Sequence, residues 1–509
     1  MASMAEPQPL TGWRLGAAAF ALALANFVVV LDTTIANVSV PHIAGGLAVS
    51  PSQGTWVITS YAVADAISVP LTGWLASRFG SVRTFLTGLA GFGLFSLLCG
   101  MSTTLGMLIA CRIAQGLCGG PLMPLSQTLL MRVFPKDKQP AALGIWASTT
   151  TAAPILGPIL GGLLSDNWSW PWIFFINLPV VALCMAGVFQ LVRPFETRIA
   201  RVRIDVIGLV LLVTFVGALQ LMLDTGREHD WFESTWIIGL AIVALIGFAI
   251  FVIWELNDDH PIVDVRVFKF RGFTAGTLAI SLGFGAFFAQ VVLTPLWLQQ
   301  VVGYTATNAG YVVAWIGLFA VLGSPLAAKL SSKIDVRITV TAGILWLFLM
   351  SFLRTAWTAD ADYWTLAWPH ILQGIGMPFF FIGLTQLALN SVPPDRVVAA
   401  AGLMSFMRTL SGAIGTAIAS SMWDNASSRA RGELVPELNG VSETMTAMQA
   451  RGLDPEQARA AIDRMVEVQA STLGALHVYT VSALVFIIAA AAVWIAPKPR
   501  PGGMPTGGH

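Results

Sequence analysis

The sequence predicts an all-α integral membrane protein with about fourteen spans, arranged as two six-helix bundles plus two additional transmembrane helices. Three observations predict it: composition, the spacing of apolar runs, and the placement of basic residues. Hydrophobic residues make up 56% of the chain and charged residues only 11%, whereas soluble domains average about 25% charged. A chain of 509 residues would need several polar-coated domains in water. Too few charges are present to coat them, so lipid covers most of the exterior.

A helix needs about 20 mostly apolar residues to cross a hydrocarbon core of about 30 Å. Runs of this kind lie near 15–40, 54–74, 84–102, 105–131, 140–165, 171–192, 205–223, 235–256, 272–295, 305–328, 338–356, 364–391, 397–423 and 473–496. The first is too long for the apolar core of a cleavable signal and is expected to remain as a span. Residues 1–192 are expected to form the first six-helix bundle. Residues 193–265 hold the basic linker RPFETRIARVR and two inserted spans. Residues 266–509 form the second bundle and include a long loop at about 424–472. Gly73–Arg83 and Gly323–Lys333 are basic connections in matching places of the two groups, though with little identity. A six-plus-six plan suits a transporter with its site between two halves.

The basic residues divide by side. With fourteen spans both termini share one side, which holds Arg14, Arg78, Arg83, Arg132, Lys136, Lys138, Arg193, Arg198, Arg201 and Arg203. It also holds Arg266, Lys269, Arg271, Lys329, Lys333, Arg337, Arg396, Lys498 and Arg500. The other side receives Arg227, Arg354 and the basic residues of the long loop. By the positive-inside rule both termini are cytoplasmic. In the long loop, Asp454, Pro455 and Glu456 form a helix start, and Ile462, Met465 and Val466 then share a face. An amphipathic helix outside the membrane is expected there, serving as a capping loop or a docking surface.

Several function classes are disfavoured. A net charge of +1 creates no global field for nucleic acid. Cys99, Cys111, Cys118 and Cys184 sit in apolar runs without metal-ligand spacing, and the six histidines are scattered. No phosphate-binding loop and no H-E-x-x-H pattern occurs. The sequence therefore gives no support for an enzyme, a metal site or a cofactor.

Four ionisable residues fall inside spans: Asp32, Asp65, Arg112 and Arg408. A mid-bilayer charge costs at least about 2.5–3.5 kcal/mol on insertion scales, so each needs a reason. Asp32 lies about 27 Å along an outgoing helix from Arg14, and Arg112 about 12 Å from the outer end of an inward-running one. Their depths match. A carboxylate here can load and release a proton, because an opposite charge favours its ionised form and apolar surroundings its neutral form. Arg112 would be the fixed partner. A static pair that only orders packing is the alternative. Asp65 is a second carboxylate of this kind. Arg408, near Ser411-Gly412, is a possible second-half polar site that hydrogen-bonds backbone. In TTTAAPILGPILGG, residues Pro154, Gly157, Pro158, Gly161 and Gly162 describe a kinked or closely packed helix.

These motifs carry a family resemblance. Leu31 to Val38, LDTTIANV, resembles the first-span signature of the fourteen-span drug:proton antiporters of the major facilitator superfamily. LIACRIAQGLCGGP around Arg112 resembles their fourth-span motif, APILGPILGG their fifth-span antiporter motif, and GWLASRFGSVR their cytoplasmic gating loop. SQGTWVITSYAVADAISVPLTGWLA, DNWSWPWIFFINLPV, WELNDDHPIVD, GYTATNAG and MRTLSGAIGTAIASSMWDN resemble the EmrB type of multidrug efflux subunit. The resemblance implies a major facilitator fold and proton-coupled export of hydrophobic small molecules across a bacterial inner membrane. It implies proton coupling at Asp32 and Arg112, while Asp65, expected as a proton site from its place inside a span, stands where EmrB-type sequences can have a neutral Asn. Gly157, Pro158 and Gly161 would shape the antiporter helix, and Gly73, Arg78, Gly80 and Arg83 the gating loop. It also implies a periplasmic adaptor of the EmrA type and an outer-membrane channel of the TolC type, with 424–472 as the adaptor contact. Ser77 stands where the gating loop usually has an acid, so the usual charge latch is not expected there.

Overall fold

The computed structural model describes residues 8–197, 199, 204–259, 261–331, 333–394, 396–438 and 440–497. Arg198, Arg201, Arg203, Lys498 and Arg500 of the basic pattern lie outside the described residues. The described chain is helical, with no strand among those residues. A helical segment stands at each of the fourteen apolar runs. In order they are α1 (Gly12–Gly46), α2 (Trp56–Ser68, then the turn Val69–Leu71 and Thr72–Phe79), α3 (Ser81–Gly100), α4 (Leu105–Gly119 and Leu122–Val133), α5 (Gln139–Asn167), α6 (Trp172–Phe175 and Asn177–Leu191) and α7 (Val206–Thr225). Then follow α8 (Thr235–Asn257), α9 (Arg271–Gln300), α10 (Ala306–Ser331), α11 (Val336–Leu353), α12 (Tyr363–Leu389), α13 (Val397–Leu434) and α14 (Pro455–Val493). Twelve spans among the described residues are long and apolar enough to cross a membrane by length and composition. The other two positions are α2, interrupted at Pro70, and the Ser/Thr-rich α5.

Local chemistry sets the boundaries. Gly120-Pro121 separates the two parts of α4, since proline lacks the donor that would continue the ladder. Asp205 caps α7 by accepting the Gly208 N–H at 2.8 Å. Asp454 and Gln457 form a reciprocal capping box at the start of α14, satisfying two otherwise free N–H groups.

The last six helices repeat the packing of the first six. The pairs α1–α5, α2–α4, α3–α4, α1–α6 and α3–α6 recur as α9–α13, α10–α12, α11–α12, α9–α14 and α11–α14. The inserted α7–α8 hairpin packs against α2 and reaches α13, where Arg227 pairs with Asp424 at 2.8 Å. The two sets of six meet mainly through α5 against α10, with Ser148 and Ser324 hydroxyls 2.9 Å apart. They also meet closely at the end that carries Arg78 and Arg83, where a Cβ on Gly73 would come within 2.9 Å of the Ala399 backbone.

The long loop differs from expectation. Most of it is not a separate helix and loop but an extension of two spans. α13 continues past residue 423 to Leu434, about 16 Å further at the helical rise. α14 runs unbroken from Pro455 into the membrane. A short helix, Val441–Ala450, connects them. Arg431 on α13 clamps the extensions together, bonding Glu467 at 2.6 Å and Asp463 at 2.5 Å on α14. Gly474 lets the two backbones close, since a Cβ there would meet the Trp423 carbonyl at 2.9 Å.

Candidate functional site

Asp32 stands on α1 and Arg112 on α4, and both side chains are fully buried. They meet at 2.6 Å between Asp32 Oδ2 and Arg112 Nη1. The pair is embedded in further hydrogen bonds. Asp32 Oδ1 accepts from Asn177 of α6 at 2.6 Å and from Gln115 of α4 at 3.2 Å. Arg112 Nη1 also donates to Gln115 Oε1 at 2.8 Å, and Arg112 Nε to the Val57 carbonyl at 3.1 Å. Tyr61 lies under the guanidinium, 4.1 Å from its ring centre, and Phe174 closes another side at 5.6 Å. Asn177 is held in turn by Ser96 of α3 at 3.0 Å. Five helices therefore converge on one carboxylate. A buried ion pair survives in apolar surroundings only when its remaining donors and acceptors are met in this way.

Two glycines bring α5 to this centre. A Cβ on Gly157 would stand 2.1 Å from Thr34 Oγ1, and one on Gly161 2.7 Å from the Ile35 carbonyl. Thr34 and Ile35 lie two and three residues after Asp32 on α1, so α5 rests within one helical turn of the carboxylate. Pro158 lies between these glycines on α5, and its side chain is outside the described residues. Asp65 does not join the cluster. It is half-buried on α2, where Gly116 and Gly120 of α4 press against the backbone of Tyr61 and Asp65. Its carboxylate makes no hydrogen bond or ion pair with a described residue.

The loop between α2 and α3 carries the remaining expected residues. Gly80 has φ +93°, a conformation that disfavours a side chain. It brings the start of α3 onto Glu196, whose carboxylate accepts the N–H groups of Val82 at 2.9 Å and Arg83 at 3.0 Å. The Arg83 side chain is 4.0 Å from the same acid, and Arg78 is exposed. With serine at 77, the acid that engages this turn comes from Glu196 beyond α6.

Arg408 corrects the expectation of backbone hydrogen bonding. It is 1% exposed and crosses between the two sets of helices. Its Nη2 approaches the Met123 sulfur of α4. Its guanidinium lies 5.0 Å from the Trp146 ring of α5 and 5.3 Å from the Phe284 ring of α9. Nε and Nη1 have no acceptor among the described residues. Phe284 stacks on Phe288 at 4.4 Å and packs edgewise on Phe381 at 5.9 Å, so the cation sits in an aromatic wall.

Arg354, expected at the outer end of the 338–356 span, follows the last residue of α11. It is buried to 1% exposure, because Trp357 and Tyr479 close over it at 5.5 and 5.9 Å. Gln115, Asn177, Ser96 and Glu196 were not among the expected site residues. The LIACRIAQ run contained the signal for Gln115, one helical turn after Arg112.

The sequence profile of the Major Facilitator Superfamily matches residues 22–416. The chain is 44% identical to the "Multidrug export protein EmrB" of Escherichia coli (strain K12), over 99% of this chain and 100% of that protein. It is 41% identical to the "Fatty acid resistance protein FarB" of Neisseria gonorrhoeae, over 98% and 99% of the two chains. The crystal structure of the human organic anion transporter MFSD10 superposes with a TM-score of 0.59. That superposition covers 94% of this chain and 99% of the human one at 14% identity, a likeness of fold.

Proposed function

The chain belongs to the Major Facilitator Superfamily, and we propose that it is a proton-coupled antiporter exporting hydrophobic toxic compounds by alternating access. The observation that carries this reading is the buried Asp32–Arg112 pair beside the α1–α5 contact, in a chain whose relatives are named for multidrug export and fatty acid resistance. A proton arriving at Asp32 removes the negative charge and with it the attraction to Arg112, which stays cationic. The hydrogen bonds from Gln115 and Asn177 weaken with the charge, since charge-assisted bonds are about twice as strong as neutral ones. α1 is then free to shift against α4. Because α5 rests on Thr34 and Ile35, the shift passes to α5 and to its contact with α10 between the halves. Loss of the proton restores the pair and resets the cycle.

Asp65 is a second proton-binding carboxylate in this reading, and Gly73, Arg78, Gly80 and Arg83 form the gate at the basic end. The hydrophobic compound lies between the halves against Trp146, Phe284 and Phe381, near Arg408. The membrane is the bacterial inner membrane, with both termini cytoplasmic. The energy source is the proton gradient, to which the membrane potential adds about 2.3 kcal/mol per charge per 100 mV; no cofactor takes part. The α13–α14 extensions then project into the periplasm, toward an adaptor of the EmrA type and through it a channel of the TolC type. Drug resistance of cells carrying Asp32→Asn tests the reading. Resistance is expected to fall to the level of cells without the protein while the variant remains in the membrane. Full resistance would remove the proton role from Asp32.

A further inference from the structure

The helix pairings that relate α1–α6 to α9–α14 place a second polar centre where the first has Asp32. Arg112 and Gln115 are the eighth and eleventh residues of α4; His370 and Gln373 are the eighth and eleventh of α12. Each glutamine precedes a glycine, Gly116 or Gly374, that packs on the backbone of the corresponding neighbour, α2 or α10. Gln290 on α9 takes the place of Asp32 on α1. The second centre keeps a buried cation, Arg354, and carries no acid: Arg354 forms no ion pair with a described residue.

Arginine only donates, so it fixes both amides. Arg354 Nη1 donates to Gln290 Oε1 at 2.7 Å, and Nη2 donates to Gln373 Oε1. The amide nitrogen of Gln290 then finds Ser351 Oγ at 2.8 Å. Among the described residues the amide nitrogen of Gln373 finds no acceptor, and neither does Arg354 Nε. In the first half the equivalent nitrogen, Gln115 Nε2, donates to the Asp32 carboxylate. His370 does not supply the missing acceptor through Nδ1, which faces the Leu366 carbonyl at 2.9 Å and therefore carries its hydrogen. One half thus has a carboxylate at this point. The other has a buried positive charge and two unmet donors, walled by Trp357 and Tyr479.

We propose that the second half binds a small inorganic anion of the chloride class between Arg354 and Gln373, in the role that the Asp32 carboxylate has in the first half. Size follows from the donor set: Arg354, Gln373 and His370 are each no more than 1% exposed, and the two donors left over, Arg354 Nε and Gln373 Nε2, suit a single-atom acceptor. The anion neutralises the guanidinium and accepts from Arg354 Nε and Gln373 Nε2. It locks α9, α11, α12 and α14 together as Asp32 locks the first bundle, but it can be exchanged.

The test is equilibrium binding of radioactive chloride to the purified full chain in lipid nanodiscs. Gluconate holds the ionic strength constant, and melting temperature is read in parallel. Saturable, stoichiometric chloride binding with a matching rise in melting temperature is expected. Arg354→Gln should abolish both. Gln373→Leu keeps the charge and removes one donor, and should weaken the apparent affinity about tenfold, the loss of one hydrogen bond to a charged group. No saturable chloride binding to the unaltered chain would overturn the proposal. Binding that persists undiminished in either variant would overturn it as well, and neither result bears on proton-coupled export.

Discussion

Asp32→Asn, Arg112→Gln and their combination separate a proton carrier from a static packing pair. Asparagine is almost isosteric with aspartate, so packing is kept while hydrogen bonding is not. Asp32 Oδ1 faces two donors, Asn177 and Gln115, and Oδ2 faces a third, Arg112. Whichever way the new amide turns, its NH2 group points at a donor. Arg112 is also left as a buried charge without its acid. Removing one member of a buried pair costs about 3–5 kcal/mol. Arg112→Gln removes the excess charge, so the double variant should recover part of this loss, with a coupling of about 0.5–3 kcal/mol. Denaturation of the purified proteins in one detergent measures the stability cycle, and export from membrane vesicles is measured on the same preparations. The account expects partial recovery of stability in the double variant with no recovery of proton-driven export. If the two losses simply add, the pair is not coupled as drawn. If the double variant exports normally, proton coupling does not run through this carboxylate.

Three further outcomes follow from other parts of the molecule. Gly157→Ala sets a Cβ 2.1 Å from Thr34 Oγ1 and should cost about 1–3 kcal/mol of overpacking, with slowed export at unchanged protein level; unchanged export kinetics would show that the α1–α5 contact is not part of the cycle. Glu196→Ala removes the acid from the start of α3 and should cost about 0.5–2 kcal/mol, seen as a lower melting temperature, while Glu196→Gln should lose less because an acceptor remains. Deleting 430–465 removes Arg431, Asp463 and the capping box, and should spare transport across one membrane while impairing cell-level resistance; adaptor crosslinking that survives the deletion unchanged would contradict the docking role.

The helices were legible because their cause is written locally. Apolar runs of membrane length, alternating with clusters of Lys and Arg, placed a helix at each of the fourteen runs, although α13 and α14 extend well beyond theirs. The Asp32–Arg112 contact was legible for a related reason: charges in a span are costly enough to stand out, and helix rise gives their depth. Gln115 and Asn177 were not legible, because neutral amides carry little insertion cost and resemble ordinary span residues. The burial of Arg354 at the outer end of its span was not legible, because a residue that covers it, Tyr479, is distant in sequence. Glu196 was hidden in a stretch remarkable only for its basic residues. The start of α14 at Asp454 was readable from its capping chemistry. Its continuity into the membrane was not, since polar residues up to 472 give no sign that the helix never breaks.

Proton movement in proteoliposomes of the purified chain tests the central claim most directly. An imposed proton gradient is followed by an internal pH probe while lipophilic compounds are added, beside an Asp32→Asn control. The account predicts that a transported compound collapses the gradient through the unaltered chain and leaves it standing in the control. Compound-driven collapse of equal rate in both, or compound movement with no proton flux in either, would contradict it.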